Sequence, residues 1–257
     1  MSLQRLLVIA RHNARLLTEN PGPVVLFIFT PLLTMAILRP TFQRALVGQG
    51  FPNANGAEQV VPGFISMFVF FWMIFLGRNF FAEHGWGTWS RLQTSEASPG
   101  EILVGKVLPA YFLILTQMLV LFGLGTLLFN LHSEGPPLAL LLIAVPLAAC
   151  VLALTLALVG LCRVMVQVDA LGNLLVMVFA SLGGAFAPVS LLPDWARQLA
   201  PAVPSYWANK AARSVILEGH GVSDVLGPAG VILLFTVAFG VLAAASFRFA
   251  APKIAAG

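Results

Sequence analysis

Residues 135–162 read GPPLALLLIAVPLAACVLALTLALVGLC, a run without a single Asp, Glu, Lys, Arg or His. A helix needs about 20 apolar residues to cross the hydrocarbon core of a bilayer, so this run is long enough to span it. Its apolar character is continuous, whereas a transmembrane barrel strand alternates between lipid and lumen at every second residue. Five further stretches free of Asp, Glu, Lys and Arg are long enough to do the same: Asn20–Leu38, Gln59–Gly77, Val107–Ser133, Ala170–Pro193 and Val225–Phe247. The longest uncharged stretch elsewhere, residues 45–57, carries Pro52, Asn53 and Asn55 among glycines and is too short and too polar. The expectation is an all-α polytopic membrane protein with six transmembrane helices in one domain over residues 1–257, both termini on the same side.

Composition agrees. The 257 residues are 59% hydrophobic and 9% charged, against about 25% charged in soluble proteins. So few charges cannot solvate the surface of a globule of this size, which excludes a water-soluble one. The net charge of +4 reads as membrane topology and contact with anionic lipid, not as nucleic-acid binding, because Lys and Arg collect in cytoplasmic loops. With the termini inside, the cytoplasmic segments hold nine basic residues: Arg5, Arg11, Arg15, Arg78, Arg91, Lys106, Arg163, Arg248 and Lys253. The outer segments hold five: Arg39, Arg44, Arg197, Lys210 and Arg213. The bias places both termini in the cytoplasm, in a cytoplasmic (inner) membrane.

Ahead of the first span, Leu3, Leu6, Leu7, Ala10, Ala14 and Leu17 recur at helical spacing, with Gln4, Arg5, Arg11, His12, Arg15 and Thr18 on the other side. This predicts an amphipathic helix over residues 1–19 lying on the inner leaflet, ended by Asn20-Pro21-Gly22-Pro23. No small-residue cleavage site follows the first apolar run, so a secretory signal is not expected.

The chemistry is sparse. His12, His84, His132 and His220 fall in four separate segments with no HExxH or Cys partner, which gives a metal site no support. Cys150 and Cys162 lie in one apolar run, about 18 Å apart on a helix and out of bridging range. None of the span windows contains Asp, Glu, Lys or Arg, so no buried proton relay of such groups is expected. Residues 100–106, GEILVGK, have the spacing of a phosphate-binding loop, but Val107 stands where Ser or Thr must hold magnesium and no strand precedes. Lys106 reads as an anchor at the inner leaflet, and if nucleotide drives this protein, another chain binds it.

Two segments carry a family resemblance. Residues 81–106, FAEHGWGTWSRLQTSEASPGEILVGK, join the second and third windows and predict a short helix over Trp86–Thr94 and a second begun by Ser98 and Pro99. Glu83, Gly87, Thr88, Leu92, Pro99, Gly105 and Lys106 fall in order on the pattern of the ABC-2 type permeases, the membrane subunits of type-2 ABC exporters. The tract between Leu92 and Pro99 departs from that pattern, having QTSEAS where apolar-Thr-Pro is usual. After the fifth window, Gly183-Gly184-Ala185-Phe186-Ala187-Pro188, Leu192-Pro193-Asp194-Trp195 and Pro204-Ser205-Tyr206-Trp207 resemble the same family's outer motifs. Glycine and proline at this density break a helix, and the residues from Pro188 to Asp224 suit short re-entrant helices dipping into the outer leaflet.

The resemblance is to the daunorubicin-resistance type of permease. It implies a permease subunit exporting amphipathic cargo, drug or lipid, paired with a second identical or homologous permease and two ATPase subunits that bind ATP and magnesium. This chain would bind no cofactor. Glu83 to Lys106, with Arg91, would be the coupling segment, Glu83 pairing with Arg91 or with a basic residue of the ATPase. Phe64, Phe68, Phe71 and Phe75 make one aromatic face on the second span, which meets lipid or a neighbouring helix or lines the export path with Gly183, Gly184 and Phe186. The Gly183-Gly184 pair reads as a close helix contact or a hinge. The alternatives are a sodium-coupled carrier or a channel without an ATPase, and a membrane enzyme, the last disfavoured by the missing acid, base and metal clusters.

Overall fold

The computed structural model describes residues 3–19, 22–89 and 94–246. Among these residues are nine α-helices and no β-strand: α1 (Leu3–Glu19), α2 (Gly22–Gly48), α3 (Ala57–Gly85), α4 (Pro99–Phe129), α5 (Pro137–Leu161), α6 (Met165–Leu182), α7 (Asp194–Leu199), α8 (Pro204–Glu218) and α9 (Val222–Ser246). Short 3-10 turns, Val189–Leu191 and Ala200–Ala202, flank α7. Six helices, α2 to α6 and α9, are long and apolar enough to cross a membrane, so the chain is a multi-pass membrane protein. Because successive spans alternate in direction, one end of the bundle gathers α1, the α3–α4 and α5–α6 connections and the end of α9. The other end gathers the α2–α3 and α4–α5 connections and everything between α6 and α9.

The core is built around α3, which is buried over most of its length, with α5 beside it; α2, α6 and α9 are largely exposed. Phe64, Phe70, Trp72 and Met73 of α3 are fully enclosed with Ile114 and Leu121 of α4 and Leu147 of α5. Outside, Leu26, Phe29, Leu33 and Ile37 of α2 and Leu234, Val237 and Val241 of α9 are exposed, as residues facing lipid would be. Close helix approach rests on glycine. A Cβ on Gly172 of α6 would meet Ile74 Cγ1 at 2.6 Å, and one on Gly125 of α4 would meet Val61 Cγ1 at 2.9 Å.

One buried polar group ties three spans. Pro31 lies inside α2, and its missing N–H leaves the Phe27 carbonyl, four residues earlier, without a helical donor. Gln117 of α4 supplies one, its Nε2 donating to Phe27 O at 2.8 Å while its Oε1 accepts from Trp72 Nε1 of α3. With no water in a bilayer core, such a side-chain replacement is what makes a proline tolerable there.

The helices differ from the uncharged windows at their ends. α2 continues past Leu38 to Gly48 through Arg39 and Arg44, since a helix needs apolar side chains only where it meets lipid, and Arg39 Nε donates to Asn55 O at 3.1 Å. α6 stops at Leu182, well short of Pro193; Gly184 has φ +84°, which turns the chain out of the helix. On α1 the half-buried face is Leu6, Ile9, Ala10, Asn13, Ala14 and Leu17, while Leu7 is exposed. Ile9 joins that face because α4 presents a glycine to it.

Candidate functional site

The α3–α4 connection is framed by local chemistry on both sides. Ser98 Oγ accepts from Glu101 N at 3.3 Å and Glu101 Oε2 accepts from Ser98 N at 2.8 Å, a capping box with Pro99 in the first turn. It fixes the phase of α4, so that Gly105 faces α1 and Lys106 faces α3. A Cβ on Gly105 would lie 2.7 Å from Ile9 Cγ2, so α1 seats on α4 only because position 105 has no side chain. At the other side Gly87 adopts φ +71°, a left-handed turn that suits glycine, and Thr88 Oγ1 donates back to Glu83 O at 3.1 Å. The stretch 100–106 is therefore the start of a helix, not a loop that wraps a phosphate.

At the centre of this arrangement Lys106 Nζ donates to Glu83 Oε2, with the two side chains only 5% and 11% exposed. The ammonium also lies 5.0 Å from the centroid of Phe80 and 5.7 Å from that of Trp89. A charge this enclosed is stable only because the partner and the ring faces replace water. Beside the pair opens a cavity of about 300 Å³ whose wall joins Asn13 and Glu19 of α1, Phe75 and Asn79 of α3, and Trp86. Further ion pairs stand nearby: Arg78 of α3 holds Asp169 of α6 by bonds of 2.7 and 2.8 Å, Arg15 of α1 holds Glu19 at 2.6 Å, and Arg5 of α1 holds Glu96.

The structure brings Glu83, Gly87, Thr88, Gly105 and Lys106 together, with exposed Pro99 at the start of α4; Arg91 and Leu92 lie outside the described residues. Lys106 is thus a buried partner of Glu83 instead of an interfacial anchor. The aromatic face points mainly inward and toward α2. Phe71 and Phe75 lie 6.4 and 6.3 Å from Phe27, Phe68 lies 5.4 Å from Phe71, and Phe64 meets Phe186 edge-on at 6.2 Å. Only Phe75 of the four reaches the cavity beside the ion pair.

At the opposite end Gly183 and Gly184 form a close contact. A Cβ on Gly183 would collide with Ser205 Oγ, while Asn209 Nδ2 donates to Gly183 O at 2.7 Å and Gln59 Nε2 to Gly184 O at 3.0 Å. Pro188 and Pro204 are buried, Tyr206 is half-buried, and Pro193 and Trp195 are exposed. Sequence reasoning missed Asp169, Gln117 and Gln59. The signal for Gln117 was a lone amide in the middle of an apolar window, and such a residue asks for a partner.

These features define a helical multi-pass membrane protein with a charge-locked connection at one end and a region of short helices at the other. Residues 5–217 match the profile of the ABC-2 type transporter family, and the chain belongs to that family. It is similar to the linearmycin resistance permease protein LnrN of Bacillus subtilis (strain 168), 29% identical over 71% of this chain and 47% of that protein. It is also similar to ABC transporter G family member 20 of Dictyostelium discoideum, 27% identical over 67% of this chain and 24% of that protein. The chain thus matches about half of the first relative and about a quarter of the second.

Proposed function

We propose that this chain is the permease subunit of an ATP-driven exporter in a cytoplasmic membrane, with both termini in the cytoplasm. ATP and magnesium are held by two separate ATPase subunits, a second permease, identical or homologous, completes the pathway, and this chain hydrolyses no nucleotide itself. The observation that carries the reading is the family match over residues 5–217, joined to a buried ion pair placed where the α3–α4 connection returns to the bundle. A push on that connection acts on the end of α3 through Glu83 and on the second turn of α4 through Lys106, so the two spans answer as a unit. Gly105 passes the same displacement to α1 through Ile9. The name of the Bacillus relative, a linearmycin resistance permease, supports amphipathic cargo, a drug or a lipid.

Reconstitution with a candidate ATPase tests the reading. The chain alone is expected to bind and hydrolyse no ATP, and the assembled complex to export amphipathic cargo only with ATP and magnesium. Cargo movement by the chain alone under a sodium gradient would replace the exporter by a carrier, and nucleotide binding to the isolated chain would overturn the division of labour.

A further inference from the structure

At the end of the bundle opposite the Glu83–Lys106 pair, α8 carries Tyr206, Asn209, Lys210 and Arg213 on one stripe, three and four residues apart. The stripe borders a cavity of about 300 Å³ closed on its other sides by Gln49, Gln59 and Gly184. Its charges are unbalanced. Arg213 spends its guanidinium on neutral amides, donating to Gln49 Oε1 at 2.8 Å and Gln59 Oε1 at 3.1 Å, with Phe51 stacked 5.5 Å away. Lys210 lies over the rings of Tyr206 and Trp207 at 5.8 and 5.3 Å. Among the described residues neither cation has an ion-pair partner. Gln49 Nε2 is buried with no acceptor, and Asn209, 7% exposed, has an Oδ1 with no donor.

Two cations and an orphan amide N–H around one space ask for an anionic oxygen group, and the orphan Asn209 oxygen asks for a donor such as a hydroxyl. Gln59 stands in the first turn of α3, so the cavity sits at the level where a helix leaves the hydrocarbon and headgroups begin. We propose that this cavity binds a phosphate group, carried by a hydroxyl-bearing anionic phospholipid of the adjacent leaflet. The phosphate oxygens accept from Arg213 and Lys210, and a small shift of the enclosed Gln49 and Asn209 side chains lets Gln49 Nε2 donate to the phosphate and Asn209 Oδ1 accept from the headgroup hydroxyl. Burial pushes the Arg213 guanidinium below its ordinary pKa, with the field of Glu218 opposing, and the charge of a bound anion would further offset that desolvation. The inference does not depend on which way the chain faces or on what it exports.

Native mass spectrometry of the full chain, released from nanodiscs of equal phosphatidylcholine and phosphatidylglycerol, reads the preference directly. Wild type is expected to retain phosphatidylglycerol, and Arg213→Gln and Lys210→Gln each to cut retention about tenfold, the scale of one charge-assisted bond. Lys210 is exposed, so its variant folds whether or not Arg213→Gln does, and thermal unfolding in pure phosphatidylcholine checks this. A second arm adds inorganic phosphate alone to the detergent-purified chain. Stabilisation by phosphate without a phosphatidylglycerol preference would overturn the lipid as its source. Equal retention of the two lipids without that stabilisation, or unchanged retention in both variants, would overturn the site.

Discussion

Glu83→Gln would leave the Lys106 ammonium enclosed between two aromatic rings without its carboxylate. Breaking a buried pair this way costs about 3–5 kcal/mol, whereas replacing both charges by apolar groups is often neutral. Unfolding measured in nanodiscs should therefore show Glu83→Gln and Lys106→Met each strongly destabilised and Glu83→Leu/Lys106→Met close to wild type. If the pair transmits force, the double variant folds but loses cargo-stimulated ATP hydrolysis in the assembled complex. Gln117→Leu offers a second test, since it orphans the Phe27 carbonyl and costs about 1–3 kcal/mol. Adding Pro31→Ala returns a backbone N–H to that carbonyl and should recover part of the loss, so a double-mutant cycle reads a favourable coupling. Both charges were visible in the sequence as members of a motif, but not their pairing. The uncharged windows end at Gly77 and begin at Val107, which puts both residues just outside the spans, where a charge reads as an anchor. A contact across 23 positions is fixed by helix phase, which the windows do not carry.

Among the elements, α1 depends most visibly on a single position. Gly105→Val places two methyl groups where Ile9 now sits and should lift α1 from α4, costing about 1–3 kcal/mol of overpacking. Hydrogen exchange should report faster opening over residues 5–17 with the amides of α3 unchanged, and Ile9→Ala on the same background should restore protection. The sequence predicted a helix here from its period, while its seating was hidden because nothing in that period shows that position 9 meets a glycine of α4. Six spans were legible because each is a continuous apolar run, and the end of α6 was not, because residues 183–193 are as uncharged as residues 170–182 before them. What stops α6 is the left-handed Gly184 and the carbonyls of Gly183 and Gly184 given to Asn209 and Gln59, partners distant in the chain.

For the whole molecule, cysteine labelling in intact cells tests orientation. Native Cys150 and Cys162 are buried, so background should be low. An impermeant reagent should reach a cysteine placed at Asn53 or His220 and not one at Ser95; labelling of Ser95 alone would invert the topology. Whichever way the chain faces, α3 runs unbroken from Gln59 to Glu83, about 36 Å of helix at 1.5 Å per residue. It carries the locked charge at one end and, at the other, an amide that bonds both Gly184 and Arg213. A shaft so loaded conveys torsion. Turning it by about 10° sweeps a side chain some 6 Å from its axis through roughly 1 Å, enough to stretch the 3.0 Å bond from Gln59 to Gly184 beyond hydrogen-bonding range. A twist applied beside Lys106 would thus be felt as unlatching on the far face of the membrane, with no message carried through the space between.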